Sequence, residues 1–157
     1  MRFLLLDRID RLESGRRIEA RKAVSFEEMW LPRPTPPYPA LPQALLLEAI
    51  LQAGMWLLRE ASGFTRQPLV IAAEDVELSA RPVVSGDCLR LVAEVRQSGP
   101  DGAVLRGEAW VGDRRVARGE RIVCTWLPLE QFVDPAEARV LFDEMVRPKH
   151  ERMERPS

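Results

Sequence analysis

Residues 31–56 read LPRPTPPYPALPQALLLEAILQAGMW: six prolines in the first twelve positions, then a nearly unbroken apolar run. Proline cannot donate to a strand ladder, and it pushes the residue before it out of the helical region. The segment FEEMWLPRPTPPYPA is therefore expected to be a loop. Behind it the spacing predicts a helix over residues 41–61. Leu41 would be the N-cap, Pro42 the first helical residue, and Ser62-Gly63 the stop. Leu45, Leu46, Leu47, Ala49, Ile50, Leu51, Ala53, Met55, Trp56, Leu57 and Leu58 cover every side of that helix. A helix apolar all round has to be buried. Yet it carries one carboxylate, Glu48, whose neighbours at helical spacing are Ala44, Leu45, Leu51 and Gln52. A carboxyl among such neighbours is either a desolvated proton-transfer group or an inert remnant. A leucine N-cap offers no acceptor to the first N–H groups, so those of Gln43 and Ala44 need water or a ligand oxygen.

The remainder of the chain is organised around that helix. RFLLLDRIDRLESGRRIEARKAV reads as two strands about Ser14-Gly15, with Ile18, Ala20 and Val24 alternating against Arg17, Glu19 and Arg21. After the helix come PLVIAAEDVELS, the bend RPVVSGD, and CLRLVAEVRQ with Leu89, Leu91, Ala93 and Val95 inward. SGPDG is a turn, and AVLRGEAWV and RRVARGERIVCTW form a hairpin about Gly112-Asp113. Asp134-Pro135-Ala136-Glu137 has the order of an N-cap, an N1 proline and a capping-box acid, predicting a last helix over about 135–146. Two strands, a central helix and then long antiparallel strands define an α+β domain over residues 1–146, followed by a charged, mobile tail, 147–157. Only one strongly curved sheet wrapped around the helix would bury it. Such a sheet leaves an edge for a second subunit, so a dimer is expected.

Composition limits the partners. With 157 residues and a formal charge of −1, the chain offers no basic surface for nucleic acid or an anionic membrane. No run is long enough to span a bilayer. Cys88 and Cys124 fit neither a disulfide framework nor a zinc pattern, and no metal is expected. Both read as buried free thiols of a cytoplasmic protein.

Several of these stretches carry a resemblance. FLLLDRIDRLESGRRIEARKAVS, FEEMW, PYPALPQALLLEAILQAG and RPVVSGD resemble, in that order, segments of the beta-hydroxyacyl-acyl carrier protein dehydratases (FabZ-like proteins). The match covers roughly residues 3–126. It implies the hot-dog fold, with one curved antiparallel sheet around a long central helix. It also implies an acyl thioester substrate carried on phosphopantetheine, as acyl carrier protein or acyl-CoA, and no cofactor. In that family a loop histidine removes the proton beside the thioester carbonyl. A helix carboxylate from the other subunit helps the 3-hydroxyl leave as water, and helix-start N–H groups polarise the thioester oxygen.

Carried over by position, Glu48 is the carboxylate and Gln43 supplies the N–H. Tyr38, Leu41, Pro42, Leu45, Gln52, Val83 and Val84 line the substrate, and Arg33 and Arg81 are candidates to face a phosphate or an acidic carrier. The histidine position falls on Pro34, and the single histidine of the chain is His150, in the tail. The resemblance therefore implies half of a catalytic dyad. Three readings remain open. The chain is a non-autonomous subunit of a dehydratase in fatty-acid or polyketide-type biosynthesis, as a homodimer or beside a histidine-bearing hot-dog subunit. Or it is a hot-dog thioesterase in which Glu48 activates water. Or it is a non-catalytic acyl-carrier docking protein.

Overall fold

The computed structural model describes residues 4–25 and 40–146. β1 (Arg8–Glu13) and β2 (Arg17–Ala23) form the expected hairpin, turning through Gly15 at φ 70°. A two-residue strand, β3 (Ala40–Leu41), leads into α1 (Gln43–Ala61). Then follow β4 (Arg66–Leu78), β5 (Val83–Val84), β6 (Cys88–Ser98), β7 (Gly102–Val111) and β8 (Arg114–Pro128). A 3-10 turn at Leu129–Gln131 and α2 (Pro135–Val146) close the described chain.

Six strands make one antiparallel sheet in the order β1-β2-β6-β7-β8-β4, and α1 touches β2, β4, β6, β7 and β8. Period-two alternation explains the two faces. Ile18, Ala20, Leu89, Leu91, Leu105, Ala109 and Ile122 are buried. On the other face alternate Arg17, Glu94, Arg106, Glu108 and Glu120, paired across strands, with Arg106 Nε donating to Glu120 at 2.9 Å and Arg17 Nη1 to Glu94 at 3.0 Å. Helix and sheet approach closely at Gly54, where an added Cβ would stand 2.6 Å from Leu105 Cδ1. Each fully buried leucine at this contact contributes roughly 1.5–3 kcal/mol.

The β7–β8 hairpin turns as expected, with Val111 opposite Arg114 and Gly112 at φ 55°. So does the start of α2, where Asp134 Oδ1 accepts the Ala136 N–H at 2.8 Å.

Several expectations need correction. Pro42 is the N-cap of α1 and not its first residue (φ −55°, ψ 138°), because Leu41 is held in a strand, opposite Val83 of β5. That β3–β5 ribbon is a second, two-stranded sheet, where one sheet was expected. Cys124 is buried but Cys88 is exposed: it alternates outward from the inward Leu89 at the first position of β6. Val95 is only half-buried, since the pairing with β7 shifts between Val95 and Gln97. Finally, α1 is not sealed on every side. Glu48, Leu51 and Met55 are half-buried along one side of it, while Leu47, also half-buried, faces Gly119 of β8.

Candidate functional site

The candidate site is built on the first half of α1. The β3–β5 ribbon fixes where that helix begins, with Ala40 opposite Val84 and Leu41 opposite Val83. Residues forty positions apart in sequence thus meet at the helix start. Leu41 and Val83 are buried, Pro42, Val84 and Leu45 half-buried, and Gln43 exposed. The Gln43 side chain donates to the Ser79 carbonyl at 2.6 Å, which ties the first helical residue to the end of β4.

Among the described residues no side chain caps the start of α1. The Leu45 N–H donates back to the Pro42 carbonyl at 2.9 Å. Gln43 and Ala44, both exposed, begin the helix with their N–H groups directed out of its end, the positive end of its dipole.

Glu48 is half-buried, not enclosed as its sequence neighbours suggested, on the same side of α1 as half-buried Leu51 and Met55. Gln52, one turn on and only 7% exposed, holds it. The Leu5 N–H donates to Gln52 Oε1 at 2.7 Å, and this leaves Nε2 to donate to Glu48 Oε1 at 3.1 Å. An amide locked in this way presents the carboxylate in a fixed position and keeps its second oxygen available for a proton-bearing ligand. The role of Leu5 was not legible in the sequence, where the N-terminal run read only as strand.

Gln43 and Glu48 are five positions apart, about 140° round the helix and about 7.5 Å along it. Beyond Gln52 an apolar cavity opens between α1, the N-terminal segment and α2. On the other side of the helix start, exposed Arg81 and half-buried Arg114 flank a polar groove with Asp87 and Asp113. Arg33, Pro34, Tyr38 and His150 lie outside the described residues. Among the described residues no cluster of His, Cys, Asp and Glu is grouped to hold a metal ion, and no helix is long and apolar enough to cross a membrane.

A curved antiparallel sheet around one central helix is the hot-dog fold, and solved structures share it. The smu.793 protein of Streptococcus mutans UA159, solved bound to acetyl CoA, superposes with a TM-score of 0.63 at 12% identity, covering 82% of this chain and 94% of that one. The dehydratase heterocomplex ApeI:P from Xenorhabdus doucetiae gives 0.62 at 15% identity, covering 89% and 90%. Residues 1–120 match the family model described as FabA-like domain. The chain is 39% identical over 111 residues to the 3-hydroxyacyl-acyl-carrier-protein dehydratase FabZ of Symbiobacterium thermophilum, covering 71% of this chain and 78% of the relative. It is 30% identical over 118 residues to that of Clostridium kluyveri, covering 75% and 82%. The chain belongs to the FabA-like domain family of hot-dog proteins and is FabZ-like within it.

Proposed function

We propose that this chain is a non-autonomous subunit of a 3-hydroxyacyl thioester dehydratase in the cytoplasm, supplying Glu48 to an active site completed by a second hot-dog chain. The observation that carries the reading is a carboxylate held in place by Gln52, in a chain whose only histidine is His150; the resemblance in turn puts Pro34 at the family's histidine position. Removing the proton beside a thioester carbonyl needs a base within hydrogen-bond reach, and proline has none.

The shared site follows the family pattern, with the thioester oxygen at one subunit's helix start and the 3-hydroxyl at the other's carboxylate. In that arrangement the partner's loop histidine takes the proton, Glu48 protonates the departing hydroxyl, and water leaves. The substrate arrives on the phosphopantetheine of an acyl carrier protein or CoA, past Arg81. Pairing would occur along β4, an edge strand bonded only to β8 within the sheet, which exposes Leu69 at 43% and Ile71 at 62%. The dehydratase heterocomplex ApeI:P of Xenorhabdus doucetiae, which shares the fold, supports the reading as a precedent for unlike partners.

The test is turnover of a 3-hydroxyacyl-pantetheine substrate. Alone, the purified chain should show none. Mixed with a histidine-bearing hot-dog partner it should turn over, and Glu48→Gln should then lower the rate by about 100-fold or more, the scale of one acid–base group. Robust turnover by the chain alone would overturn the subunit reading.

A further inference from the structure

α2 lies beyond the residues that match the family, which end at 120, and it is docked firmly. Phe142 stacks edge-on against Phe64 at 5.5 Å and tilted against Trp56 at 6.2 Å, and Arg139 lies 4.7 Å over the Phe64 ring. Held there, α2 forms one wall of a cavity of about 450 Å³, within the roughly 300–1,000 Å³ of small-molecule sites. The lining is apolar: Leu4, Met55, Trp56, Val133, Ala138 and Leu141. Its polar members are Arg59, whose guanidinium lies 4.8 Å over Trp56 and donates to Gln67, and Gln52, the residue that holds Glu48. The cavity therefore begins one helical turn beyond the candidate carboxylate and leads away from it.

We infer that this cavity receives the distal end of the substrate's acyl chain, and that α2 sets how long a chain the protein accepts. The inference rests on the acyl thioester reading of the Glu48 site and deepens it. Gln52 separates the polar reaction end from a hydrocarbon compartment, and the compartment's far wall is Leu141 and Val133, contributed by an element outside the matched family residues. Each methylene buried there should tighten binding about fourfold until the wall is met, after which longer chains gain nothing.

The test is calorimetric titration of the full chain with acyl-CoAs from acetyl to palmitoyl, and in parallel with the free fatty acids. Wild type should show affinity rising with length to a limit. Leu141→Trp should move that limit to shorter chains and weaken longer ones by about tenfold or more, leaving short ones unchanged, and Leu141→Ala should move it the other way. Val133→Phe, at an independent point of the wall, should act as Leu141→Trp does, and circular dichroism checks that each variant is folded. Thioesters that bind with a length profile indifferent to all three changes would overturn the inference and leave the Glu48 reading standing. Fatty acids that bind with the expected profile, while no thioester binds, would support the chamber and overturn the thioester reading. Neither ligand binding would overturn both.

Discussion

The two ends of the central helix are built on opposite plans. At its C-terminal end the backbone folds back on the last turn. Ser62, Gly63 and Phe64 donate their N–H groups back to Leu58, Glu60 and Arg59. Gly63 and Phe64 stand at φ 64° and 61°, the left-handed region that a phenylalanine rarely adopts. The conformation persists because the Phe64 ring is buried between Phe142 and Arg139. At the N-terminal end no side chain caps the helix, its first two residues are exposed, and Glu48 is half-buried. The closed end stabilises the fold, and the open end is where a ligand or partner gains most by binding. A protein that used both ends structurally would have capped the first and buried the second alike.

That contrast breaks most visibly under truncation. Phe142→Ala, at a residue 7% exposed, should cost roughly 3–5 kcal/mol in urea unfolding, as large aromatic deletions in cores do. Gln43→Ala at the open end should stay within about 0.5 kcal/mol despite its bond to Ser79. Similar costs for the two would end the comparison.

Midway along the helix, Gly54→Ala places a methyl against Leu105, which is 2% exposed and has little room to move. A loss of about 1–3 kcal/mol is expected, read from the same unfolding midpoint.

A further expected effect concerns how dry the interior is. Burial pushes the Cys124 thiol up from 9.0 to about 11. Below pH 9 the thiol is protonated in both states and contributes no pH dependence. Between those values the unfolded chain ionises first, so stability falls as pH rises through the window. In thermal melts, wild type should lose stability relative to Cys124→Val as pH rises through that window. A pH-independent difference would mean that water reaches this part of the core.

What the sequence determined by itself is whatever depends on residues a few positions apart. The apolar run of α1, the Ser14-Gly15 and Gly112-Asp113 turns and the Asp134 cap were all legible, because backbone dihedrals and i to i+4 contacts specify them locally. Only the tertiary structure decided that Leu41 pairs with Val83, which moves the helix start by one residue and makes Pro42 the cap. It also decided that Gln52 is clamped by Leu5, that Glu48 is half-open and Cys88 exposed, and that α2 docks on Trp56 and Phe64 to wall off a cavity. These outcomes rest on contacts between residues tens of positions apart. Hydrophobic periodicity says which face of an element seeks cover, but it does not say which distant element supplies that cover or where it stops short.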